Sequence, residues 1–251
     1  MSSPALFAYL LRLGDDRLVL GHRLSEWCGH GPILEEDIAL ANVALDLVGE
    51  ATLLLKLAGE IEGEGRNEDA LAYFRDATDY RNALIAELPK GDFGFTIVRQ
   101  FLFSVFSLLQ MEALARSSNA TLAGIAAKAV KETTYHVRHS AQWVVTLGDG
   151  TAESHGRAQS AVDALWRYTG ELFMTDAVDR EVATDGAGVE PGTLAGPWRD
   201  RVEGILQRAT LSVPADVYMQ RGGREGRHTE HLGHMLSEMQ IVARSHPGAT
   251  W

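Results

Sequence analysis

Glu132, His136 and His139 stand in one helical stretch, residues 125–146, beside an apolar face. At helical pitch Ala126, Val130, Thr133, Val137, Ser140, Ala141 and Val144 share that face, with Lys128, Lys131, Tyr135, Arg138 and Gln142 roughly opposite. A carboxylate and an imidazole beside a buried stripe look like half of a di-iron carboxylate site in a helical bundle. Such a site takes one Glu from each of two helices and a Glu-x-x-His pair from each of the other two, because the i, i+3 spacing aims both side chains at one metal pair. Glu132 misses that spacing: position 135 is Tyr, and His136 comes one residue late. The one acid-x-x-His match in the chain, Glu225 to His228, sits among Gly222, Gly223 and Gly226, where a helix is weak. Asp46-Leu47-Val48-Gly49 has the carboxylate of such a pair and a glycine in place of its imidazole. The expectation is that Glu132 and His136 are structural residues rather than metal ligands.

The elements that must position these residues are helices, since no regular strand pattern appears. Residues 4–28 place Leu6, Leu10, Leu13, Leu20, Leu24 and Trp27 on one face, with Arg17 the one polar break. Asp16 projects close to that face and Glu26 away from it, so Asp16 is expected to be a buried carboxylate satisfied by an Arg or a hydroxyl. Gly29-His30-Gly31-Pro32 ends this helix. Residues 33–60 are apolar nearly all round, the mark of a helix buried on most sides. Asn42, Asp46 and Gly49 share one face there, and Asn42 and Asp46 are expected to hydrogen-bond within the core. Residues 68–88 read as a polar helical stretch. Residues 93–116 form the third core helix, with Ser104 and Ser107 but no acid in its middle and Glu112 near its end. Further helical segments fall at 153–173, 198–210 and 229–243, with an acidic connection at 175–197. His228, His231 and His234 recur at three, drift around the last helix, and are expected to face solvent or an interface. The architecture is all-α: a bundle of long core helices with extra helices around it, read as a single domain over residues 1–251.

Composition narrows the function classes. The 251 residues carry 45% hydrophobic side chains, enough for a sizeable core, and a net charge of -11 with only four lysines. That balance argues against nucleic acid, which rewards clustered positive charge, and against an anionic membrane. Arg221, Arg224 and Arg227 form a local cluster suited to a phosphate or a carboxylate. The single cysteine, Cys28, excludes an internal disulfide framework and suits a reducing cytosol. No signal peptide is read at the N-terminus. The most apolar segment, 38–58, is interrupted by Asp46, Glu50 and Lys56 and reads as a poor membrane span. Walker loops, dinucleotide glycine fingerprints, nucleophile elbows and His-Glu-x-x-His pairs are absent.

Several segments together resemble one known family. Leu11-Arg12-Leu13-Gly14-Asp15, Leu24-Ser25-Glu26-Trp27-Cys28-Gly29-His30 and Asp37-Ile38-Ala39-Leu40-Ala41-Asn42 resemble the C subunits of bacterial ring-1,2-phenylacetyl-CoA epoxidases. So do Lys131-Glu132 with Tyr135-His136, Leu165-Trp166-Arg167 with Glu171-Leu172-Phe173, and Thr229-Glu230-His231-Leu232-Gly233. They run nearly the full chain in order. The resemblance implies a ferritin-like four-helix bundle and membership of a multicomponent monooxygenase that forms the ring epoxide of phenylacetyl-CoA. It implies a related catalytic A subunit that carries the di-iron centre, and a reductase that supplies electrons from NADPH. This chain would be the non-catalytic structural subunit of a cytoplasmic hetero-oligomer with the A subunit, the other epoxidase subunits and the reductase. A homodimer stays open. No catalytic residue is carried over, and no cofactor is expected in this chain.

Degenerate ligand positions leave buried charge, which is costly unless paired. Asp16, Asn42, Asp46, Glu132 and His136, with Gly49 at the lost imidazole position, are therefore expected to form a hydrogen-bonded plug at the bundle centre. Two other readings compete. In one, the chain is itself a metal-dependent oxygenase or oxidase with Glu132, His136, Asp46 and Glu112 as unconventional ligands. In the other, it is a helical binding module with no link to an oxygenase.

Overall fold

A computed structural model describes residues 3–215 and 218–249, and the terminal Trp251, a candidate anchor for a partner, lies outside the described residues. Four long helices form the core: α1 (Pro4–Ser25), α2 (Leu34–Glu62), α5 (Phe93–Leu114) and α6 (Ala120–Gly148). Local chemistry sets their starts. The Ser3 hydroxyl accepts from the Leu6 N–H, with Pro4 in the first turn; Asp92 and Asn119 do the same for α5 and α6. Glu35, Glu36 and Asp37 load the first turn of α2 with negative charge. α1 packs along α2 and α5 along α6, and α2 meets α6 across the bundle.

The bundle is clad unevenly. α3 (Glu68–Tyr73) lies against α2, α4 (Leu84–Glu87) against α1 and α5, and α7 (Ala152–Trp166) against α5 and α6. α8 (Ala177–Thr184) covers α1, α9 (Ala195–Arg208) covers α5 and α6, and α10 (Glu230–Ser245) packs on α3. With this jacket α1 is buried without a break over 9–21 and α5 over 96–111. The side formed by α2 and α6 keeps large apolar groups in solvent, with Leu34 72%, Ile38 53% and Leu45 69% exposed. Among the described residues there is no strand, and the buried apolar side chains form one connected core.

Three boundaries differ from the sequence reading. The polar stretch at 68–88 is not one helix but α3, a 3₁₀ turn at Ala77–Asp79 and α4. Arg75 leaves the helix to reach Asp15, and the Tyr80 hydroxyl donates to the Ala72 carbonyl, so tertiary partners override local helical propensity. The 175–197 connection contains α8 and a 3₁₀ turn at Pro191–Leu194. By length and composition α2 and α5 are both apolar enough to cross a membrane, against the expectation for 38–58. The span window of α5 is 89% buried within the molecule, however, and that of α2 half buried.

Candidate functional site

Arg17 occupies the middle of the bundle. It is fully buried, and all three of its nitrogens are committed. Nε donates to Glu50 Oε2 at 2.7 Å, Nη1 to the Leu13 carbonyl at 3.0 Å, and Nη2 to Ser107 Oγ at 3.0 Å and Gln110 Oε1 at 3.4 Å. The guanidinium thus ties α1 to α2 and α5. Glu50 lies one turn after Asp46 on α2, and Glu132 one turn before His136 on α6. His136 is 1% exposed and its Nε2 donates to Asp46 Oδ2 at 2.9 Å; one turn further, His139 Nε2 donates to Glu36 Oε2 at 2.9 Å. The Lys128 ammonium stands 3.3 Å from Glu132 Oε1. Burial pushes the Glu50 carboxyl up, Arg17 and His136 pull it back, and Glu132 pushes it up again. The α2 and α6 carboxylates therefore share one electrostatic environment.

The expected plug is not assembled as the sequence suggested. Asp46, Glu132 and His136 do meet at the α2–α6 seam. Asn42 is exposed, and an added Cβ on half-buried Gly49 would meet nothing within 4 Å. The all-round apolar character of α2 hid this, because its outer stripe is as apolar as its inner one. Asp16 is fully buried but belongs to another cluster: it takes Arg224 through both carboxylate oxygens, at 3.0 and 2.7 Å, and the Ala83 N–H at 2.7 Å. Glu112 is on the surface, 3.6 Å from Arg201. Arg17 and Glu50 are the central residues missing from the sequence-based set. The polar break on the core face of α1 was their signal, since a charge on a buried stripe requires a buried partner.

A second polar seam joins α1 to the outer layer. Asp15 binds Arg75 and the Arg81 N–H, and Arg12 binds Asp176 and Asp179. Glu87, fully buried, accepts from Asn82 Nδ2 at 2.8 Å, the Thr229 N–H at 2.6 Å and His228 Nδ1 at 2.7 Å. The His228 side chain is thus buried within the fold, contrary to the expectation that it faces solvent or an interface. It is 5% exposed because Nε2 also finds the Tyr80 carbonyl at 3.0 Å. His231 is half-buried and His234 exposed. Glu171, also buried, holds the N–H groups of Leu84, Gly222 and Gly223 at 2.7–2.8 Å.

The centre does not fit the di-iron pair that a bundle of this kind implies. Arg17 takes Glu50 Oε2, and His136 takes Asp46. Among the described residues no three His, Cys, Asp or Glu side chains converge as metal ligands. A groove of about 570 Å³ is lined by Asn67, Tyr73, Phe74, Met239 and His246, none of which belongs to the central group.

Comparison with known proteins agrees with the helical architecture and extends over the whole length. The chain is 46% identical over 246 residues to the C subunit of 1,2-phenylacetyl-CoA epoxidase from Escherichia coli (strain K12), covering 98% of this chain and 99% of that protein. Residues 1–251 match the family described as "Phenylacetic acid catabolic protein", whose fold is ferritin-like and helical. The chain belongs to that family of phenylacetic acid catabolic proteins.

Proposed function

We propose that this chain is a non-catalytic structural subunit of a phenylacetyl-CoA epoxidase, pairing in the cytoplasm with a catalytic subunit that carries the di-iron centre. A separate reductase delivers electrons from NADPH to that partner, and this chain holds no metal or other cofactor. The observation that carries the pairing is the exposed apolar stripe of α2 beside α6. Leu34, Ile38, Leu45 and Leu53 run along α2 at helical spacing, all exposed. A contiguous exposed apolar face of this kind marks a protein–protein interface. Lys56 on α2 and Lys128, Lys131 and Arg138 on α6, all exposed, flank it in a chain whose net charge is -11. A two-fold pairing with a second copy would set these cations against one another. A different helical subunit with acidic groups beside its apolar face fits better. The committed pairs at the bundle centre support the non-catalytic half of the reading.

The test is co-expression with the catalytic subunit and size-exclusion chromatography, together with elemental analysis and phenylacetyl-CoA-dependent oxygen uptake. The expected result is a stable heteromer burying more than ~1,000 Å², with no iron in this chain and no oxygen uptake by it alone. Stoichiometric iron in the isolated chain, or a monomer indifferent to the catalytic subunit, would overturn the reading.

A further inference from the structure

Each central carboxylate has a basic side chain beside it. Glu50 has Arg17, Asp46 has His136, and Glu132 has Lys128. Two of these basic groups come from α6 itself, next to or across from their partners, whereas Arg17 reaches in from α1. Its side chain is sealed completely from solvent, whereas Lys128 is 60% exposed. Glu50 Oε1 beside it, and Glu132 Oε2 and Thr133 Oγ1 on α6, are buried with no hydrogen-bond partner in the protein. Glu50 is 3% and Thr133 1% exposed, so their orphan oxygens cannot turn to bulk water. We propose that the Arg17 guanidinium is a built-in counter-cation that fills the charge-neutralising place of a metal ion beside Glu50 and keeps that carboxylate closed to divalent cations. The physical requirement is simple. A carboxylate held in a low-dielectric core must be neutralised, by protons, by metal or by organic cations. A guanidinium does this without exchange, because it stays charged and is tied to the chain. Its hydrogen bonds to Leu13, Ser107 and Gln110 hold it there even when Glu50 moves. The proposal goes beyond the structural role above and does not depend on any partner.

Arg17→Met tests it, since methionine keeps an unbranched side chain and removes the charge. The probe is Mn²⁺ added to the full-length chain, followed by titration calorimetry and by loss of the free Mn²⁺ signal in electron paramagnetic resonance. The wild type is expected to retain no Mn²⁺ after desalting. R17M is expected to bind roughly tenfold or more tightly than the wild type, R17K to stay at the wild-type level, and R17M/E50Q to lose the gain. Stoichiometric Mn²⁺ in the wild type overturns the proposal, and so does a folded R17M that binds no more tightly. Should R17M fail to fold, its far-ultraviolet circular dichroism is compared with that of R17M/E50Q. Helicity regained in the double variant supports charge pairing by Arg17. A double variant as unfolded as the single one overturns it, because lost packing would then account for the effect. None of these readouts involves the catalytic subunit, so failure here leaves the pairing reading standing, and the reverse also holds.

Discussion

Both ring nitrogens of His228 face acceptors, an arrangement that favours the doubly protonated ring. One faces a carboxylate and the other a carbonyl, and neither group can donate. Burial works against that charge, but the Glu87 carboxylate and the Tyr80 carbonyl outweigh it and hold the imidazole above its ordinary range. A histidine raised in the folded state stabilises fully below its unfolded value of about 6.5 and loses that contribution as pH rises through the folded value. The melting temperature should therefore fall as pH climbs above about 6.5. His228→Gln should remove that part of the slope while lowering stability at pH 6. A pH series of thermal melts on both proteins checks it, and parallel curves would refute the assignment.

At the scale of elements, Glu171 fastens the 3₁₀ turn Gly223–Glu225 to the start of α4 through three backbone N–H groups. The turn needs glycine: Gly222 has φ 142°, and a Cβ on Gly223 would lie 2.1 Å from the Asn82 carbonyl oxygen. Glu171→Ala leaves those buried donors without a partner and should cost roughly 3 kcal/mol or more, seen as a lower urea midpoint at unchanged m-value. Gly223→Ala should do the same by driving the two segments apart. The outer stripe of α2 behaves oppositely. Leu45 is 69% exposed and makes no core contribution, so Leu45→Arg should leave the chain's own stability within about 0.5 kcal/mol. The same substitution should break co-elution with the catalytic subunit proposed as its partner. If co-elution survives, the interface lies elsewhere.

For the whole molecule, the jacket of small helices decides which side is free. The α1 and α5 helices are sealed by peripheral elements, whereas α2 keeps an exposed apolar stripe, with exposed cations on α2 and α6. Three of the four lysines stand on these two helices. Charge complementarity of this kind acts mainly on the association rate and is screened by salt. Raising ionic strength from about 0.05 to 0.5 M should slow formation of the heteromer well before it speeds dissociation. Reversing Lys128 and Lys131 to Glu should abolish that salt dependence. An association rate indifferent to both changes would refute the cationic fringe as a steering feature.

Helix identity, the all-α class and the failure of the metal-ligand spacing were legible in the chain because they depend on local periodicity. Glu132 and His136 four residues apart, and glycine at position 49, need no tertiary information. Membership of the family was legible too, because its segments recur in order along the whole length. The identity of each buried charge's partner was not. Asp16 finds Arg224 across 208 residues, and Glu87 finds His228 across 141. No periodicity reports such pairings, because they are set by the packing of distant elements. The same holds for Asn42. On a helix apolar all round, only the jacket of neighbours decides which face is inside, and here it leaves Asn42 out and brings Glu50 in against Arg17.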